Sequence, residues 1–389
     1  MASFGYVPFL FLLFIGTVCN SMAVSFMGFH LVEGLDKAPW SISVYMGCFA
    51  FVVIIANRLL AAKMDEGANP FFMIGLAASS FFIAAVTISF SFGFLITVIF
   101  GAIGFGIGSS AMSTKFSIGG IVADRYAIKR STFNAYMRAT TSTSWMIGPA
   151  LSFTIADLYS HAMVFQMAIV AGLLWLAVWW FAAPRDALTE PKAKNSDVVQ
   201  GKSRNLELRI AVIFVFCLAL AHSLTFSAIP IFFVQEVGLP GFAPGTAFTV
   251  KTFIELFAIF STPFLINRFG LRMSLFGTAL LAIVAILVIG TTTSLAHMYI
   301  GAALEGFYFG LFSTLAISFV QSLSTDRPAY GNALYWNTMM LTLIVAGPAT
   351  GAIAQVFDFQ TVIFIATLFA VLSAVILAAN GFIKRMSAR

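Results

Sequence analysis

The chain has 389 residues, 60% of them hydrophobic and 9% charged. A water-soluble domain carries roughly 25% charged residues, so a soluble globular fold is excluded. The mean hydropathy of +0.98 and the 44 phenylalanines make a lipid bilayer the solvent. A formal net charge of +6 would suit nucleic acid, but the placement of that charge along the chain removes this reading.

Crossing the hydrocarbon takes about 20 apolar residues in a helix, and helices satisfy their own backbone in lipid. Spans are expected near 7–30, 40–62, 70–90, 94–116, 134–156, 162–183, 209–235, 246–267, 273–292, 297–320, 332–356 and 360–383. The first run, from Val7, is too long for a cleavable signal and has no basic leader, so it reads as a span. Cys19, Cys48 and Cys217 lie far apart in apolar runs without CxxC or metal spacing, and read as free, buried thiols. No metal and no cofactor is expected.

Basic residues orient the chain. Arg58, Lys63, Arg125, Lys129, Arg130, the six between Arg185 and Arg209, Arg268, Arg272, Arg327 and the C-terminal three fall on one side. The opposite loops hold Lys37 with Glu33, Asp36, Asp157, Glu236 and Asp358. Both termini and the central loop are therefore expected in the cytoplasm. The positive charge is topological, and nucleic acid is not an expected partner.

An internal repeat is visible. Gly104-Phe-Gly-Ile-Gly108 recurs as Gly306-Phe-Tyr-Phe-Gly310, and Ala123-Asp124-Arg125 recurs as Thr325-Asp326-Arg327 at the same displacement. Gly148-Pro149-Ala150 returns as Gly347-Pro348-Ala349, three residues short of it. The expected architecture is an all-α membrane protein with 12 transmembrane helices. It comprises a six-helix half at 1–184, a cytoplasmic linker at 185–208 and a second six-helix half at 209–389. In such duplicated transporters the substrate site is expected at mid-membrane, between the halves.

The glycine pairs have GxxxG spacing, which lets helix backbones approach closely. Gly104–Gly108 also begins like a dinucleotide fingerprint, but no strand precedes it inside a span. Gly148, Pro149, Gly347 and Pro348 sit within spans, where proline removes a helix hydrogen bond. They read either as simple helix shaping or as hinges beside a transport path.

The loop Asn267-Arg268-Phe-Gly270-Leu-Arg272 resembles the cytoplasmic Asp-Arg-x-Gly-Arg-Arg signature of the major facilitator superfamily, with Asn267 replacing the acid. The matching loop in the first half contains Asp65, Glu66 and Gly67 and lacks the basic residues after glycine. The resemblance implies gating for Asn267, Arg268, Gly270, Arg272, Asp65 and Gly67. A generic basic stop signal is the alternative.

Ionisable residues inside spans are costly and are functional candidates by default. Glu255 lies about ten residues into its span, roughly 15 Å deep at 1.5 Å per residue. An ionisable carboxyl at the midplane suits a proton carrier. A static pair with Lys251, one turn away, is the alternative. Glu305 is also deep, beside the glycine packing face, and is the second proton-coupling candidate. Arg138 faces a cavity or snorkels to the surface. Lys115 lies close enough to its span end to snorkel, and His30 and His222 read as satisfied, isolated histidines. Asn20, Tyr136, Trp145, Gln321, Tyr335, Trp336 and Asn337 supply amides and flat aromatic faces of the kind a polyhydroxylated ligand needs.

Arg138-Ala-Thr-Thr-Ser-Thr-Ser-Trp145-Met-Ile-Gly148-Pro149-Ala-Leu-Ser-Phe153 is similar to the fifth-span signature of the bacterial sugar efflux transporters, a family within the major facilitator superfamily. Ile229-Pro230, Val237-Gly238-Leu239-Pro240, Phe319-Val-Gln321 and Gly351-Ala-Ile-Ala-Gln355 also fit it. The chain departs from that pattern at Ala150, Thr140 and Ala228. The resemblance implies a major facilitator fold. It also implies proton-coupled export of small sugars or glucosides across the bacterial inner membrane by alternating access. Substrate contacts are then expected from Asn20, Arg138, Trp145, Gln321, Trp336 and Asn337.

The rival readings are a multidrug exporter of the same superfamily and a sugar uptake symporter. The lack of glycine between Gly120 and Gly148 counts against the exporter. An enzyme is not expected: Asp65-Glu66 is an isolated loop pair, and no nucleophile–base pair stands in the spans. The expected partners are a small neutral sugar-like substrate, protons and the lipid bilayer, with the chain acting as a monomer.

Overall fold

A computed structural model describes residues 5–90, 93–128, 130–183, 185, 206–324 and 328–387. Among the described residues there are twelve α-helices and no strand. They are α1 (Val7–Phe29), α2 (Trp40–Asp65), α3 (Pro70–Phe90), α4 (Phe94–Arg125), α5 (Arg130–Leu158) and α6 (His161–Ala182). The second set is α7 (Leu206–Ile231), α8 (Ala243–Phe269), α9 (Leu271–Gly290), α10 (Leu295–Ser322), α11 (Pro328–Val356) and α12 (Phe359–Ser387). Pro70 and Pro328 open α3 and α11, and prolines also stand in the first turns of α1 and α8. Proline costs nothing there, because first-turn N–H groups have no helical partner.

Ten of the described helices are long and apolar enough to cross a membrane. The expected spans at 94–116 and 134–156 are helical but weaker. In α4 the apolar stretch described is Phe94–Ser110. α5 falls outside the ten because it carries Arg138 and the hydroxyl run Thr140–Ser144. Those hydroxyls satisfy themselves on the preceding turn: Thr140 Oγ1 donates to Tyr136 O at 2.8 Å, and Thr143 Oγ1 to Ala139 O at 2.9 Å. The helix therefore tolerates them in an apolar setting.

The chain divides into two compact units. One comprises Met1–Lys37 and Val44–Val199, the other Ala38–Ser43 and Gln200–Arg389. In the first, α1 packs on α5, α6 and α4, while α3 packs on α4 and α6. In the second, α7 packs on α12 and α11, and α10 on α8 and α9. Phe26, Phe81, Phe105, Phe153 and Trp175 fill the core of the first unit; Phe214, Phe232, Phe233 and Tyr308 fill that of the second. Phe72, Phe181, Phe260 and Phe264 stand exposed, as lipid-facing side chains do. Cys19 and Cys217 are buried as expected, but Cys48 is exposed on α2.

The repeat extends to backbone detail. α1 ends in a π-helical turn, His30–Gly34, and α7 in another, Phe232–Glu236. Leu35 N donates to His30 O at 2.9 Å, and Val237 N to Phe232 O at 3.0 Å. Lys37 N bonds Leu31 O, and Leu239 N bonds Phe233 O, at the same displacement. At the other ends of the units, Gly67 (φ 85°) and Gly270 (φ 79°) terminate α2 and α8 in a backbone region that glycine alone enters freely. The Thr325-Asp326-Arg327 part of the repeat and most of the linker lie outside the described residues.

The glycine pairs do pack helices, though on different neighbours. A Cβ on Gly104 would strike Ser80 and Ala84 of α3, whereas one on Gly306 would strike the Lys251 carbonyl of α8. α5 and α11 both run unbroken through Pro149 and Pro348.

Candidate functional site

The close approach of α10 to α8 brings together the densest group of buried ionisable residues described. Glu305 precedes Gly306, so the absence of a side chain at 306 lets the acid reach Lys251. Glu305 is 1% exposed, and Lys251, His222 and Tyr308 are also buried. Lys251 Nζ lies 3.3 Å from His222 Nε2 and 3.8 Å from Glu305 Oε1. On its other side His222 Nδ1 lies 3.1 Å from Tyr308 Oη and 3.4 Å from Glu305 Oε1. An ammonium only donates, so Nε2 is the acceptor and the ring proton sits on Nδ1, facing the tyrosine and the acid.

Aromatic faces close the group. Phe309 stacks on His222 with centroids 3.7 Å apart, and Lys251 Nζ sits 4.8 Å from the Phe309 centroid and 5.3 Å from that of Phe226. Such packing stabilises a cation that has left water. Glu305 Oε1 nevertheless makes no hydrogen bond among the described residues. One full ion pair with an incompletely bonded oxygen is an arrangement in which a proton can replace the charge contact.

Glu255 sits mid-helix in α8, half-buried, and acts electrostatically on Glu305. The partners of Lys251 shown here reach across helices to α7 and α10. Sequence reading took His222 for an isolated residue, and the structure corrects this. One signal was available: His222 stands at the same displacement from Asn20 that takes Gly104 to Gly306.

In the first unit Asn20 is 6% exposed. Its Nδ2 donates to Gly16 O at 2.8 Å and Gly108 O at 3.2 Å, and Ser109 Oγ reaches its Oδ1 at 3.5 Å. The amide ties α1 to α4 and has no donor left for a ligand. Lys115 also departs from expectation. α4 continues to Arg125, so Lys115 is about 15 Å from the helix end at 1.5 Å per residue, too far to snorkel. It is fully buried, its Nζ 4.9 Å from the Trp175 ring centroid and without a hydrogen bond among the described residues.

Arg138 is exposed on α5 and Trp145 is half-buried two turns on. Pro149 removes the helix hydrogen bond that its position would have made to the Trp145 carbonyl. Gly148 is buried with its Cα against Ser21 Oγ of α1. Hydroxyls stitch the same seam: Ser21 Oγ donates to Ser144 O at 3.1 Å, Ser144 Oγ to Phe14 O at 3.1 Å, and Ser152 Oγ to Met22 O at 3.3 Å. This ladder was missed in the sequence, since serines in a span carry no spacing signal of their own.

In the second unit Trp336 and Asn337 are exposed on α11, with Tyr335 buried and its Oη donating to Ser313 O at 3.3 Å. Gly347 is buried in the same helix and Pro348 half-buried. Gln321 is exposed in the last turn of α10. It stands about 24 Å along the helix from Glu305 at 1.5 Å per residue.

Of the gating candidates, Asn267, Arg268 and Gly270 are exposed. Arg272 donates from Nη2 to Leu377 O at 3.0 Å, which fixes α9 to α12. Gly67 ends α2, and the Asp65 side chain lies outside the described residues. Nearby, Asn69 Nδ2 donates to Arg185 O at 2.7 Å.

The full chain has known relatives. It is 23% identical over 364 residues to sugar efflux transporter B of Salmonella typhimurium strain LT2, covering 92% of this chain and 91% of that protein. Sugar efflux transporter A of Escherichia coli strain K12 is 22% identical over 357 residues, 90% of this chain and 89% of that one. The fold superposes on the crystal structure of the nucleoside transporter NupG with a TM-score of 0.83 at 14% identity, over 97% of this chain and 99% of the other. Residues 9–324 match the family model of the Major Facilitator Superfamily. The chain is a multi-pass membrane protein and belongs to that superfamily.

Proposed function

We propose that the protein exports small sugars or glucosides across a bacterial inner membrane, with both termini cytoplasmic, and that inward proton movement drives the export. The observation that carries the coupling is the burial of Glu305, Lys251, His222 and Tyr308 in one contact group. Proton binding to Glu305 weakens its hold on Lys251, and the loss of that charge contact biases the conformational equilibrium of the second unit. Glu255, one turn from Lys251 on α8, is the second carboxyl of the same relay.

The cargo reading rests on similarity over about nine-tenths of the chain to proteins named sugar efflux transporters. Residues suited to a sugar are Arg138 and Trp145 on α5 and Trp336 and Asn337 on α11. They offer donors, an amide and flat faces for the C–H side of a pyranose. Asn20 instead holds α1 to α4. Asn267, Arg268, Gly270 and Arg272, with Asp65 and Gly67, form the gating turns, and Gly148–Pro149 and Gly347–Pro348 are the flexible points of α5 and α11.

Inverted membrane vesicles test the reading. With an imposed proton gradient, vesicles containing the protein should accumulate a radiolabelled glucoside, and a protonophore should abolish the accumulation. Accumulation of an amphipathic cation but no glucoside would instead favour the multidrug reading.

A further inference from the structure

His222 stands where α7 meets α8 and α10, and it is 7% exposed. Imidazole ordinarily changes charge between about pH 5 and 8, so a histidine beside a buried acid would be the obvious proton carrier. The contacts of this ring exclude that role while Lys251 is charged. Lys251 Nζ lies 3.3 Å from Nε2, and an ammonium has donors and no acceptor. Nε2 therefore accepts, and its lone pair is taken. The ring proton on Nδ1 faces Tyr308 Oη at 3.1 Å and Glu305 Oε1 at 3.4 Å. A second ring proton, on Nε2, would set N–H against N–H and two positive charges side by side out of water.

Among the described residues, the surrounding helices bring one acid into contact with the ring. That acid is Glu305 of α10, already shared with Lys251 at 3.8 Å. Glu255, half-buried on α8, acts on Glu305. Glu207, Arg209 and Glu236 lie about 20 Å from His222 along its own helix at 1.5 Å per residue. α11 and α12 also pack on α7, and residues 328–356 and 359–383 contain no acid, base or histidine.

The same contacts suit the ring to holding its neighbour. Phe309 stacks on it with centroids 3.7 Å apart, and Phe226 lies at 6.4 Å, which fixes its plane. The bond from Lys251 to Nε2 does not depend on the charge of Glu305. When Glu305 takes a proton, the ammonium keeps this bond, and it keeps the faces of Phe309 and Phe226 at 4.8 and 5.3 Å. Lys251 then still stands where the carboxylate re-forms. The repeat gives an independent indication. The counterpart of His222 in the first unit is Asn20, whose uncharged amide ties α1 to α4 through Gly108 O.

We propose that His222 is a positioning residue that stays neutral through the transport cycle and holds Lys251 beside Glu305 while that acid gains and loses its proton. The proposal rests on the reading of Glu305 as the proton site and is independent of the cargo. Glutamine reproduces both edges of the neutral ring. Its Oε1 accepts as Nε2 does, its amide donates as Nδ1 does, and it takes up no proton. Leucine offers neither edge.

Infrared difference titration of the purified full chain between about pH 4 and 10 tests it. The acid form of Glu305 is read directly, through the carboxylic C=O band that is missing in Glu305→Gln. His222→Gln should keep the midpoint of that band within about 0.3 pH of the wild type. His222→Leu should move it to higher pH by about one unit or more, because the ammonium is no longer held beside the carboxylate. If His222→Leu fails to fold, His222→Asn serves instead. It keeps the Tyr308 side, is too short to reach Lys251, and should give the same movement. An equal movement in His222→Gln would make the imidazole a proton carrier and overturn the proposal, as would an unmoved midpoint in His222→Leu or His222→Asn. A Glu305 band that does not titrate in the wild type would instead remove the reading of Glu305, and this proposal with it.

Discussion

The carbonyl of Lys251 occupies the space that a side chain on Gly306 would fill. That single omission seats α10 on α8 and puts the adjacent Glu305 within 3.8 Å of the Lys251 ammonium. Gly306→Ala should therefore act on two levels. Overpacking a tight helix contact costs about 1–3 kcal/mol, and the displaced α10 carries Glu305 away from its partner. Thermal unfolding followed by size-exclusion chromatography should show a lowered Tm, with proton-driven transport reduced more than sugar binding.

Lys251 and Glu305 should be strongly non-additive. Removing the lysine leaves the Glu305 carboxylate buried and uncompensated, which costs about 3–5 kcal/mol, whereas a glutamine at 305 still offers Lys251 an acceptor oxygen. Lys251→Met alone is expected to reduce the yield of folded protein, and Lys251→Met with Glu305→Gln should restore it. A double variant less stable than either single one would show that the two residues do not act as a pair.

Gly67 and Gly270 hold φ values of 85° and 79° at matching loop turns. An alanine is strained in that region by about 1–3 kcal/mol. Gly270→Ala should lower the Tm, whereas alanine at Gly277, where a Cβ meets nothing within 4 Å, should leave it unchanged or raise it slightly. Equal effects at the two positions would contradict the backbone argument.

Much of this architecture is legible in the amino-acid sequence. Apolar run length gave the helices, and the displacement of Gly104–Gly108 to Gly306–Gly310 gave the duplication that the paired π turns repeat. The Glu305 group was only half legible. Its acid could be seen as an intramembrane charge, but its partners on α7 and α8 are distant in sequence, and a lone histidine in a span carries no periodic signal. Lys115 was misplaced because the hydropathy of 94–116 ends well before the helix does.

Trp145, Trp336 and Gln321 test the proposed sugar contacts. Trp145→Ala and Trp336→Ala should each weaken glucoside binding by about 1–3 kcal/mol, the loss expected for one stacking or hydrogen-bonding contact. Gln321→Ala, at the helix end, should leave it within about 0.5 kcal/mol. Isothermal titration with a phenyl glucoside reads both. A large effect at Gln321 alone would move the sugar site to the end of α10.

The proposed coupling of the proton gradient to cargo movement runs through protonation of Glu305. Proteoliposomes containing Glu305→Gln provide the direct measurement, with sugar exchange and gradient-driven accumulation read on the same preparation. Exchange should stay near the wild-type rate with accumulation abolished, because a permanently neutral residue permits the conformational cycle and cannot carry a proton. Accumulation at the wild-type rate would contradict it.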